Sequence, residues 1–223
     1  MKNNEQEIIN KTADHVKSIL LGESSGHDWW HIYRVWMLAK SIAKKENADL
    51  YIVELAALLH DIADWKFTDG DEEVGPKLAR EWLVTLGVDE KEINHITEII
   101  KDLSYKGAKV KRSMKTLEGK VVQDADRLDA MGAIGIARCF AYGGHKGREI
   151  YNPEIKPQLH DTADAYKNNK SPSINHFYEK LLLLRDLINT ESAKIIAQER
   201  HEFMERFLNE FYYETSLSPI KLS

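Results

Sequence analysis

Apolar residues recur at spacings of three and four along almost the whole chain, and no run alternates convincingly with a period of two. Such spacing lines up one apolar stripe on a 3.6-residue helix and supplies no faces for a sheet. The fold class it implies is all-α. Ile8, Ile9, Val16, Ile19 and Leu20 share one side of a first helix. A second opens at Asp28, a suitable N-cap, and runs to about Glu46 with Ile32, Val35, Leu38, Ala39 and Ile42 on its apolar side. Asn47-Ala48-Asp49 reads as a tight connection into a third helix from about Leu50 to Ala63. Residues 64–75 mix Trp65, Phe67 and Gly70 with acids and read mostly as loop.

Helices near 76–86, 90–104 and 116–128 come next. The stretch 131–142 is also helical, weakened by Gly132 and Gly135. Residues 143–172 carry Gly, Pro, Asn and charges with little periodicity; a loop of that length in a compact domain is usually functional or mobile. Ser171-Pro172 reads as a cap-plus-proline start for the first of two C-terminal helices. The last shows Ile196, Phe203, Phe207, Leu208 and Phe211, which complete the core or, as the lesser alternative, form a homodimer face. The 223 residues are expected to make one domain, with a core of about 20–150 and C-terminal helices of about 172–213 packed on it.

Bulk properties exclude several classes. A chain of this length buries roughly 70% of its unfolded surface and needs no staple. The net charge of −5 argues against a broad footprint for a nucleic-acid polymer, while leaving room for a small basic pocket that takes a phosphorylated molecule. The single cysteine, Cys139, cannot form an internal disulfide, which fits a reducing compartment. No signal-peptide h-region is found in the charged first segment, and no apolar run approaches the ~20 residues that span a bilayer. The expected location is cytoplasmic, with no membrane partner.

Three segments carry chemistry. His31 lies in Gly26-His27-Asp28-Trp29-Trp30-His31-Ile32-Tyr33-Arg34-Val35. His60 and Asp61 follow the apolar stretch Leu55, Leu58, Leu59, and Asp126 follows Val121, Val122 and Ala125. If the second and third helices form an antiparallel pair, His31 near one start and His60 near the other end meet within a turn or two. Polar groups beside a core need partners, and a divalent cation satisfies a neutral imidazole and a carboxylate together.

The order H…HD…D, carried by His31 in "HIYRV", His60-Asp61 in "LLHDIAD" and Asp126 in "QDADRLDA", resembles the HD superfamily of metal-dependent phosphohydrolases. The resemblance covers about residues 20 to 150, and with "YGGHKGREIYNP" the chain looks like small bacterial HD proteins that hydrolyse nucleotides. It implies an HD-domain helical bundle with His31, His60, Asp61 and Asp126 as ligands to manganese, magnesium, nickel, cobalt or iron, manganese favoured; a His₂Asp₂ set of intermediate softness selects no single ion. Two-metal members have further histidines between the HD pair and the last Asp; only His95 stands there, so one metal is expected.

Asp64, four residues after His60, shares its helix face and is the candidate catalytic carboxylate; the resemblance implies that it orients or activates the attacking water. Arg34, Arg127, His145, Lys146 and Arg148 are candidate phosphate binders, the last three set among glycines that let an anion approach closely. Lys106, Lys109, Lys111 and Arg112 form a second basic cluster. His27 and Asp129 are candidates for supporting the ligands, and Asp28 serves as such a support or as a helix cap. Trp29, Trp30 and Trp65 are candidates for stacking on a base. The leading activity is cleavage of a nucleoside triphosphate to monophosphate and pyrophosphate. A 5′-nucleotidase, a ppGpp hydrolase, a cyclic-nucleotide phosphodiesterase and a non-catalytic nucleotide sensor are the alternatives.

Overall fold

Two aspartates decide where the central helices begin. Asp28 accepts a hydrogen bond from the amide of His31 at 2.9 Å, and Asp49 accepts one from Tyr51 at 2.9 Å, so both cap otherwise orphaned N–H groups. The structure, a computed structural model, describes residues 2–21, 28–63, 73–103, 114–159 and 171–215. Within them lie α1 (Lys2–Leu20), α2 (Trp29–Glu46), α3 (Leu50–Leu59), α4 (Val74–Thr85), α5 (Glu90–Leu103), α6 (Leu117–Asp129) and α7 (Gly132–His145). Short α8 (Asn175–Glu179), a 3₁₀ segment (Leu181–Leu187) and long α9 (Glu191–Glu214) follow. No strand occurs among the described residues, as the periodicity predicts.

Helix α2 ends at Asn47, which takes the left-handed conformation (φ 58°), and the chain turns back at once into α3. α3 is buried from Ile52 to Leu59 because α1, α2, α5 and α6 all pack against it. That explains a helix apolar on every side. Leu55, Leu58 and Leu59 are each fully enclosed, worth about 2 kcal/mol apiece in removed apolar surface. α6 packs against both α2 and α3, which brings its C-terminal turn to the end of the α2–α3 pair. α9 then packs on α7, α6 and α2, so the core cluster includes residues from Ile8 to Tyr212. Phe207 stacks on Phe177 (5.6 Å between ring centres) and both packed phenylalanines of α9, Phe207 and Phe211, join the core, whereas Phe203 is exposed.

Three local expectations change. α3 stops at Leu59 rather than Ala63, and His60–Ala63 continue as turns. The His60 ring bonds back to the Ala57 carbonyl, which satisfies an end-of-helix acceptor. α7 runs on through Gly143 and Gly144, because Gly143 must sit against Ser173: a Cβ there would lie 2.1 Å from the Ser173 hydroxyl. Ser171 does not open a helix, since its hydroxyl is held by the buried Glu179 carboxylate at 2.9 and 3.0 Å. Backbone bonds from Ser173 to Glu149 and from Ile174 to Ile150 tie the 149–150 stretch to the C-terminal segment. Residues 160–170 of the expected loop lie outside the described residues.

No described helix is long and apolar enough to cross a membrane.

Candidate metal centre

The N-terminal turn of α2, the turn after α3 and the last turn of α6 converge on one point. His31 Nε2 lies 3.3 Å from His60 Nε2, 3.4 Å from Asp61 Oδ2 and 3.6 Å from Asp126 Oδ1. His60 Nε2 is 3.5 Å from Asp61 Oδ2 and 3.9 Å from Asp126 Oδ1. The ligand atoms of His31, His60 and Asp126 all fall within 4.8 Å of one another. The side chains of His31 and His60 are 0% and 3% exposed and form the floor; those of Asp61 and Asp126, 18% and 37% exposed, form the rim.

The far side of each ring explains why the near side needs a cation. His31 Nδ1 bonds to Asp129 Oδ2 at 2.7 Å, and His60 Nδ1 bonds to the Ala57 carbonyl at 2.8 Å. An oxygen acceptor at Nδ1 places the ring proton there and leaves the Nε2 lone pair pointing into the cluster. Two lone pairs and two carboxylates then converge on one point, a donor set that a divalent cation satisfies. Ligand atoms held ~2.1 Å from an ion lie about 3 to 3.5 Å apart, close to the observed spacings. The donor set therefore fits a divalent cation.

Electrostatics agree. Burial and the Arg138 charge push His31 down, but its bonds to Asp129 and Asp61, with the Asp61 charge, more than offset them. The ring is thus poised to hold positive charge on its inner side. Burial would raise Asp129, yet its bonds from His31 and Arg34, with the His31 and Arg138 charges, hold it well below the usual carboxylate range. Asp129 stays ionised and gathers four contacts: His31, Arg34 Nε at 2.7 Å, Arg34 Nη2 at 3.0 Å and Arg138 Nη1 at 3.0 Å.

Other candidates are dispersed. Arg34 grips Asp129 while its side chain stays 34% exposed beside the cluster. Arg127 reaches the Leu187 carbonyl. His145 ends α7, and Lys146 and Arg148 follow it, both lying over the Tyr142 ring. A 14-residue helix is about 20 Å long, so α7 carries these groups away from the joint that holds Asp129. His95 stands 3.0 Å from the Thr116 hydroxyl at the opposite end of α6 from Asp126 and takes no part in the cluster. Trp29 is buried against Tyr33; Trp30 is exposed. His27, Asp64, Trp65, Lys106, Lys109, Lys111 and Arg112 lie outside the described residues.

Two residues have roles that their positions along the chain do not announce. Arg138 has no local signal, since it stands on the next helix, nine residues after Asp129. Asp124, legible only as part of an acidic face, is fully buried: it accepts from the amides of Asn189 (2.9 Å) and Thr190 (2.7 Å) and from the Thr190 hydroxyl (2.8 Å).

The HD domain family model matches residues 29–131. Bacillus subtilis YpgQ is 43% identical over 196 residues, 87% of each chain. The crystal structure of YpgQ in complex with ADP is similar with a TM-score of 0.75 and 38% identity, covering 95% of this chain and 96% of that one. An HD-superfamily hydrolase of Bacillus thuringiensis gives a TM-score of 0.75 at 47% identity, covering 96% of this chain and all (100%) of that one. A Lactobacillus plantarum protein of known structure gives 0.84 at 37% identity, covering 94% and 97%.

Proposed function

This chain belongs to the HD superfamily of hydrolases, and from that premise we propose that it is a nucleotide phosphohydrolase that cuts a (deoxy)nucleoside triphosphate to monophosphate and pyrophosphate. One observation carries the reading: four donor groups face a single point while the outer nitrogen of each imidazole is engaged by Asp129 or Ala57. His31, His60, Asp61 and Asp126 hold one divalent ion, with manganese favoured. Such an ion supplies Lewis-acid polarisation of a phosphoryl oxygen and lowers the pKa of water.

The chain's own groups do the rest. Asp129 and the Ala57 carbonyl keep the ring protons on Nδ1, so both imidazoles stay neutral ligands on the inner side. Part-exposed Asp126 and Asp61 leave the rim accessible to an incoming phosphate, whereas the histidine floor is closed to water. Asp64, three residues after Asp61, is the carboxylate that orients the attacking water. Arg34, at the edge of the cluster, offsets phosphate charge. The ADP bound by YpgQ supports a nucleotide ligand here. The whole chain acts as one unit on a small molecule in the cytoplasm.

Release of phosphate and pyrophosphate from mono-, di-, tri- and cyclic nucleotides with manganese tests this, wild type beside His60→Ala. Pyrophosphate from triphosphates, abolished by the substitution, is expected. Turnover that survives His60→Ala would remove the site from the reaction. Metal bound at one equivalent without release from any nucleotide would leave a sensor.

A further inference from the structure

Helix α2 carries a row of side chains that begins at the metal cluster and leads away from it. At about 100° per residue, Arg34, Trp30 and Tyr33 follow His31 round the helix in that order, within half its circumference. Arg34 stands four residues after Trp30 and Tyr33 three after it, so both are its neighbours on the helix surface. His31 faces the cluster, and Arg34 is held at its edge by Asp129. The next two side chains are large rings with much of their surface in water: Trp30 is 56% exposed and Tyr33 39%.

The other described tryptophans serve the fold. Trp29 is buried in the core, Trp36 donates its indole N–H to buried Glu54 at 2.8 Å, and Trp82 donates to Thr12 at 3.0 Å and stacks on His15. Trp30 and Tyr33 belong neither to the core cluster nor to the partly buried residues packed on it. They are nevertheless held in place. The Tyr33 ring lies edge-on to Trp36, 6.1 Å between centres and 83° between planes, and is tilted against Trp29 at 6.1 Å. Trp30 in turn meets Tyr33 at 6.1 Å and 81°. A ring so placed covers at most one face of the indole and leaves the other to solvent. A flat aromatic surface held out beside a phosphate site suits a flat group tethered to a phosphate.

We propose that Trp30, backed by Tyr33, is the platform on which the base of the bound nucleotide stacks, with the phosphates at the metal cluster and Arg34 between the two. This rests on the nucleotide reading above and names its base subsite. The order of groups round α2, from ligand to cation to ring, is the order of phosphate, sugar-phosphate and base along a nucleotide. Stacking uses the π-face of the base, so Trp30 favours a nucleotide over a bare phosphate chain.

Calorimetric titration with ADP and with inorganic pyrophosphate, manganese in excess, tests the platform on wild type, Trp30→Ala and Trp30→Phe. Bound manganese per chain and the melting curve are measured for each. A ring this exposed can be truncated with the core intact, so Trp30→Ala is expected to fold and to keep its manganese. It should bind ADP about 5- to 100-fold more weakly, the loss of one base–aromatic stack, and pyrophosphate as before. Trp30→Phe recovers most of the loss. Unchanged ADP affinity in folded Trp30→Ala overturns the proposal. So does an equal loss for pyrophosphate, because the truncation would then act through the neighbouring His31 cluster and not through a base. Nucleotide turnover separates the two ideas. A wild type that binds ADP through Trp30 but hydrolyses no nucleotide sinks the hydrolase and keeps the platform. Triphosphate cleavage at subsaturating substrate that is equally fast with and without the Trp30 ring sinks the platform alone.

Discussion

Replacing Asp124 with alanine gives the sharpest test of how the C-terminal helix is joined to the metal-bearing bundle. Asp124 is 0% exposed on α6, two residues before Asp126, and its carboxylate is the acceptor for the amides of Asn189 and Thr190 and the Thr190 hydroxyl at 2.7–2.9 Å. It also accepts from the Asn189 side chain at 2.7 Å. Thr190, itself 5% exposed, is the N-cap residue of α9, so Asp124 anchors the backbone just ahead of that helix, while Glu46 accepts from the Ser192 amide in its first turn at 2.8 Å. Asp124→Ala strands two backbone donors and a hydroxyl, each costing about 1–3 kcal/mol; with partial relief by water the total is about 3–5 kcal/mol. For a domain of this size each kcal/mol shifts Tm by about 2–4 °C, so a fall on the order of 10 °C is expected. The melt is run in excess chelator, because bound metal would add its own stabilisation and blur the comparison. Asp124→Asn, which keeps the shape and one acceptor oxygen, should lose less. A double-mutant cycle with Thr190→Val should show coupling above about 0.5 kcal/mol. A fall below about 2 °C for Asp124→Ala would refute the reasoning that the Asp124 carboxylate holds the start of α9.

Asp129→Asn should weaken manganese binding about 10- to 100-fold by equilibrium titration, as loss of a ligand's outer partner does; unchanged affinity would contradict the locked-imidazole picture. In the metal-free protein the same variant should flatten acid unfolding. The Asp129 pKa is depressed on folding, so its stabilisation is present above the unfolded value and disappears as pH falls below about 4. Burial pushes the Cys139 thiol up to about 12, so alkylation at pH 8 should be slow until denaturant is added, and rapid labelling of the native chain would contradict that burial. Gly135→Ala puts a Cβ 2.2 Å from the Ala130 carbonyl oxygen at the α6–α7 joint; soluble protein with an unchanged Tm would show that the joint tolerates what the geometry forbids.

The helical class, the Asp28 cap, the turn at Asn47 and the meeting of His31 with His60-Asp61 were all legible, because periodicity, capping and the length of a helical hairpin are local properties of a chain. Asp126 was legible as the third segment of the H…HD…D order, and the match to the HD family agrees with that resemblance. The errors fall where a distant group competes with a local preference. Ser171 has the form of a cap, but Glu179 takes its hydroxyl; Gly143 and Gly144 have the form of a loop, but Ser173 leaves room for nothing larger than glycine at 143.

Spacing along single stretches of chain is enough to set the helices and the three segments that carry the ligands. Which carboxylates support those ligands and which support the fold depends on how the helices pack. Asp124 and Asp129 are five residues apart on one helix and carry the same charge. One is spent on the start of α9 and the other on His31 and two arginines, because helix packing, not sequence distance, brings those partners within reach.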